Sequence, residues 1–106
     1  MPSILNFEKM KRENQKISMA TCYDFTAAKI LAKTNVDALL VGDSVAMVVH
    51  GFDTTLNATT EMMALHTAAV ARGAPEKLIV ADMPFLSFRK GVKEALETVD
   101  VLMKAG

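Results

Sequence analysis

The chain has 106 residues, one domain's worth at a typical ~150 per domain, and is 51% hydrophobic, 23% charged and 6% aromatic, the balance of a folded globular protein. Twelve Lys and Arg against twelve Asp and Glu give zero net charge, which argues against a nucleic-acid or acidic-membrane partner held by a basic surface. The apolar stretches fall far below the ~20 residues of a membrane span, and the opening MPSILNFEKMKRENQK turns charged too early for a secretory signal.

Residues 4–14 predict a leading helix, its apolar face diluted by Asn6, Lys11 and Asn14. ISMATCY at 17–23 is short, apolar and non-amphipathic. So are ALLVG at 38–42 and LIVA at 78–81, the pattern of strands buried on both faces of a parallel sheet. Asp24 is placed to cap a helix over 25–34 that carries Phe25, Ala28, Leu31 and Ala32 on one face. Segment 44–59 is long for a βα connection, and such loops are more often functional than idle. Thr59 or Thr60 caps a helix over 60–72, which Gly73 and Pro75 stop. Val92, Ala95, Leu96, Val99, Leu102 and Met103 trace one face of a last helix, with Gly106 at its cap position.

One helix followed by three β-α pairs predicts an α/β fold with a parallel sheet, forming a single domain segment over residues 1–106. No fourth strand receives the last helix. Three strands leave two open edges, so either another copy completes the sheet or the chain is the first piece of a longer (β/α) protein.

Asp43 follows ALLVG and Asp82 follows LIVA, so both stand at carboxyl-terminal strand tips, one βα unit apart. Neighbouring parallel strands lie ~4.8 Å apart, close enough for the two carboxylates to reach a common ion or substrate. Hard oxygen donors suit Mg²⁺, which takes one or two protein carboxylates and fills its shell with water and substrate. The competing reading is that each Asp caps a turn. Ser44 offers a hydroxyl and an N–H to an anion, or simply starts a helix. Tyr23 ends the first strand on the same side. Cys22, the single cysteine, excludes an internal disulfide and a cysteine-rich zinc site and points to a reducing cytoplasm. With no His or Lys beside it in sequence, it reads as a packing thiol. His50 and His66 match no paired-ligand spacing and read as structural. No glycine-rich nucleotide loop is present.

Val-Gly-Asp-Ser at 41–44, His-Thr-Ala-Ala-Val-Ala-Arg-Gly at 66–73 and Ala-Asp-Met-Pro-Phe at 81–85 occur in order and at matching spacing. Together with TCYDFTAAK near residue 21 they resemble the amino-terminal part of the ketopantoate hydroxymethyltransferase family. The resemblance implies the first three β/α units of a (β/α)₈ TIM barrel preceded by an amino-terminal helix. It implies a Mg²⁺-dependent, aldol-type transfer of the one-carbon unit of 5,10-methylenetetrahydrofolate to 3-methyl-2-oxobutanoate, giving 2-dehydropantoate on the route to pantothenate and coenzyme A. By position, Asp43 and Asp82 match the aspartates that hold Mg²⁺ and contact the keto acid, and Ser44 matches the serine that binds the substrate carboxylate. The family's substrate lysine, third acidic ligand and glutamate base are expected beyond Gly106. The resemblance therefore places no general base within these residues and implies that they are inactive alone. A homo-oligomer, a decamer in this family, is also implied. Two departures stand out: Ala46 where the family pattern has Gly, and Asn57 where it has Pro. The alternative from another class is a small non-enzymatic receiver-like signalling module with Asp82 as acceptor carboxylate, although Tyr23-Asp24 supplies only one of the two acids such a module needs.

Overall fold

The computed structural model describes residues 4–106; the first three residues, where the signal reading of the opening segment begins, lie outside it. The elements in order are α1 (Ile4–Arg12), β1 (Met19–Thr21), α2 (Phe25–Leu31), β2 (Ala38–Val41), α3 (Val45–Val48), a 3₁₀ turn (Thr55–Asn57), α4 (Thr60–Gly73), β3 (Leu78–Ala81) and α5 (Val92–Ala105). Each expected helix and strand forms, and the long segment 44–59 holds two short helical turns that periodicity does not reveal.

The boundaries follow local chemistry. Helix α1 stops at Arg12 because Asn14 takes a left-handed φ of 57°, and the Gln15 N–H then donates to the Met10 carbonyl at 2.8 Å. The Asp24 carboxylate accepts the Ala27 N–H at 2.7 Å and caps α2 as expected. Of the two threonines, Thr59 caps α4, accepting the Met62 N–H at 3.1 Å.

The sheet is parallel with order β1-β2-β3. Helices α2 and α4 pack side by side, as do α4 and α5, and α4 lies on both β2 and β3. Helices α2, α4 and α5 therefore run in one layer that advances with the strands. This order removes the receiver-like alternative, because that sheet places β1 between β2 and β3.

Burial corrects one expectation. The best-shielded strand is β2, with Leu39 and Val41 fully buried on one face and, on the other, Ala38 buried but Leu40 half-buried, whereas Met19 in β1 is 51% exposed and every residue of β3 is half-buried. The cause is positional: β1 and β3 each lack a strand neighbour on one side. The core gathers around β2 through Leu39, Val41, Val45, Met63 and Val70, each large buried side chain contributing about 1.5–3 kcal/mol. The apolar stripe of α5 is only partly used. Leu102 is buried, but Val92 and Met103 are 76% and 75% exposed. Beside β3 the stripe borders an apolar groove of about 750 Å³ lined by Ile79, Ala81, Val99 and Leu102 among others.

The two ends of the sheet differ in character. At the amino-terminal ends of the strands, Asp37 Oδ2 accepts the Ser18 N–H at 2.8 Å, and Lys77 Nζ donates to the Thr34 and Val36 carbonyls at 2.8 and 2.7 Å. Those bonds tie loops together. The carboxyl-terminal ends carry the acidic groups Asp43 and Asp82. Among the described residues, no helix is long and apolar enough to cross a membrane.

Candidate functional site

Strand register decides how the two aspartates meet. Val41 lies opposite Ala81, so Asp82 falls opposite Gly42 and Asp43 one step further. The two acids are offset by one residue, not strictly equivalent as their sequence setting suggested. Gly42 makes the offset workable. With no side chain at that position, the Asp82 carboxylate crosses in front of β2 and accepts the Asp43 N–H through Oδ2 at 3.0 Å. The Asp82 N–H extends the ladder by donating to the Val41 carbonyl at 3.0 Å. The Asp82 carboxylate thus meets the backbone of Asp43 at one corner of the sheet, and both residues are half-buried.

A small hollow opens over Gly42. A Cβ built there would stand 3.3 Å from Ser44 Oγ, 3.5 Å from Asp82 Oδ2 and 3.9 Å from Ser44 N. An alanine side chain would occupy the space these groups border. The reading of the sequence missed Gly42, although a glycine between a strand and two polar residues is the available signal.

Ser44 is oriented by Tyr23, whose phenol lies 2.6 Å from Ser44 Oγ. The Tyr23 carbonyl is in turn contacted by His66 Nδ1 at 2.6 Å, which ties the end of β1 to α4. The backbone beyond Ser44 is anchored by α3, where Val45 and Ala46 are fully buried. The Val45 and Ala46 N–H groups donate to the Gly42 and Asp43 carbonyls, each at 3.1 Å. Ala46 is helical with an ordinary negative φ, so the residue standing where the family pattern has glycine needs no special backbone. Asn57 closes the 3₁₀ turn, its Oδ1 accepting from Thr54 Oγ1 at 3.3 Å.

Cys22 is buried, with Sγ 3.6 Å from the Asp24 carbonyl. Burial pushes its pKa up; the backbone hydrogen bond lowers it in part, and the Asp24 charge raises it again. The thiol therefore stays protonated and packs, as expected. His50 and His66, read separately as structural, are brought together, Nε2 to Nε2 at 2.8 Å.

The corner suits a hard divalent cation. Among the described residues nothing donates to the Asp43 carboxylate, and the Asp82 carboxylate is engaged through Oδ2 alone. No group of three or more His, Cys, Asp or Glu converges among the described residues. Two carboxylates with water and substrate completing the shell match the way Mg²⁺ is usually held.

Residues 2–106 match the family model described as ketopantoate hydroxymethyltransferase. A 3-methyl-2-oxobutanoate hydroxymethyltransferase from Coxiella burnetii (strain Dugway 5J108-111) is 54% identical over 101 residues, covering 95% of this chain and 38% of the relative. The enzyme of that name from Bdellovibrio bacteriovorus is 51% identical over 106 residues, covering 100% of this chain and 40% of the relative. That from Legionella pneumophila (strain Lens) is 50% identical over 103 residues, covering 97% and 39%. The chain thus spans about two fifths of the length of the relatives it matches. On a match that runs through all three strands and both aspartates, the chain belongs to the ketopantoate hydroxymethyltransferase family.

Proposed function

We propose that these residues form the metal- and keto-acid-binding corner of a hydroxymethyltransferase that converts 3-methyl-2-oxobutanoate to 2-dehydropantoate, with 5,10-methylenetetrahydrofolate as one-carbon donor. In this reading the β-α units are the first three of a (β/α)₈ barrel. The open edges of β1 and β3 and the uncovered stripe of α5 are then the surfaces that the remaining units close. The sequential strand order under one helical layer supports a singly wound barrel over a doubly wound sheet. The reading extends to a cytoplasmic homo-oligomer.

The observation that supports the proposal is the bond from the Asp43 N–H to Asp82 Oδ2, which holds the Asp82 carboxylate against the backbone of Asp43 at adjoining strand tips, next in sequence to Ser44. Asp43 and Asp82 would be the residues that hold Mg²⁺. When bound, the cation supplies Lewis-acid polarisation to a 2-keto acid, acidifying its C3–H. Ser44 donates a hydrogen bond from its hydroxyl to the substrate carboxylate. For that, the Tyr23 phenol must donate to Ser44 Oγ, so Tyr23 is a positioning residue that sets the direction of the serine hydroxyl. Removal of the C3 proton requires a general base, which this reading assigns to a later strand, as it does a further acidic ligand and a lysine.

Exchange of the substrate C3 proton in D₂O, followed by NMR on the full-length protein, tests these roles without the folate step. Asp43→Ala is expected to lower Mg²⁺-dependent exchange by about 100-fold or more. Ser44→Ala is expected to raise the keto-acid KM by roughly 10- to 150-fold, the equivalent of one hydrogen bond to a charged group worth about 1.5–3 kcal/mol. Wild-type exchange in Asp43→Ala would remove that residue from the site.

A further inference from the structure

We propose that His50 and His66 form a second metal site, selective for imidazole-binding divalent ions such as Zn²⁺ or Ni²⁺ and separate from the Asp43–Asp82 corner. The two residues are 16 apart in sequence, His50 just after α3 and His66 within α4, yet their Nε2 atoms approach to 2.8 Å with the rings in an edge-on arrangement at 84°. The tautomers follow from the neighbours. His66 Nδ1 lies 2.6 Å from the Tyr23 carbonyl, and a carbonyl only accepts, so His66 carries its proton on Nδ1. Its Nε2 therefore presents a lone pair toward His50, which donates Nε2–H in the metal-free state.

An imidazole whose Nδ1–H is held by a backbone carbonyl, leaving Nε2 bare and aimed, is the arrangement of a metal-ligating histidine. His66 is half-buried and its ring is fixed at both nitrogens; His50 is exposed on the connecting segment. Binding releases no proton: neutral His50 shifts its proton from Nε2 to Nδ1 through solvent, His66 keeps its proton on Nδ1, and both Nε2 lone pairs become available to the ion. Two nitrogens on a tetrahedral Zn²⁺ at about 2.0–2.1 Å stand roughly 3.3–3.4 Å apart; the Nε2 atoms now meet head-on, with ring centroids 5.1 Å apart, so the pair must open by about half an ångström and the His50 ring must turn until both lone pairs converge. The exposed His50 ring can supply that. Water fills the other positions, since no third His, Cys, Asp or Glu joins them among the described residues. Donor chemistry separates the sites: imidazole nitrogens prefer Zn²⁺, Ni²⁺ and Cu²⁺, while the carboxylate corner prefers Mg²⁺.

The test is Zn²⁺ titration of the full-length protein by calorimetry in excess Mg²⁺, with wild type, His50→Ala, His66→Gln and Asp43→Ala compared. His50→Ala changes an exposed residue on the connecting segment, so it probes binding without disturbing α4. Expected is a Zn²⁺ site retained in Asp43→Ala and weakened at least 10-fold by either histidine substitution. Zn²⁺ binding unchanged in His50→Ala, or lost in Asp43→Ala but kept in both histidine variants, would overturn the proposal.

Discussion

Asp82→Asn is expected to abolish turnover while leaving the fold almost untouched, and Asp82→Ala to lose both activity and stability. The side chain has two separable tasks. Its Oδ2 accepts the Asp43 N–H at 3.0 Å, which an amide oxygen can also do, and in the proposed site its charge holds a cation, which an amide cannot. Asparagine therefore preserves the corner and removes the ligand. Alanine additionally strands a half-buried N–H, at a cost of about 1–3 kcal/mol. Steady-state kinetics together with thermal melts resolve the tasks. Substantial activity in the Asn variant would reduce Asp82 to a structural bracket.

Gly73→Ala is expected to lower stability by about 2–3 kcal/mol, within the usual range for overpacking. A Cβ at Gly73 would stand 2.7 Å from Ala28 Cβ and 2.7 Å from the Phe25 carbonyl oxygen. The second contact is with backbone and cannot be relieved by turning a side chain. Helices α2 and α4 would have to separate, opening the seam over Ala28, which is fully buried. Urea unfolding measures the loss. A change under about 0.5 kcal/mol, the level of an ordinary surface substitution, would mean the crossing is looser than these distances state.

The sequence carried most of the plan because its signals are local. The apolar runs at 38–41 and 78–81, the cap at Asp24 and the stripe on α5 each depend on neighbours within a few residues. What stayed hidden depends on register and on distant partners. The one-residue offset between Asp43 and Asp82 exists only once Val41 is set opposite Ala81, and that offset is what gives Gly42 its purpose. The helical turns inside 44–59 are held by burial of Val45, Ala46 and Ala58, which no short-range pattern announces. Gly73 read as a helix stop because its spacing says so, yet its tightest constraint comes from α2, more than forty residues earlier. The histidine pair is of the same kind: neither residue has a motif, and only the packing of the connecting segment against α4 joins them.

The paired-aspartate claim is tested most directly by Mn²⁺ binding, with Mn²⁺ as a spectroscopic substitute for Mg²⁺ followed by electron paramagnetic resonance. Wild-type full-length protein should bind one ion that Mg²⁺ displaces, and Asp43→Ala and Asp82→Asn should each weaken that binding by tenfold or more. Equal affinity in all three proteins would contradict the account.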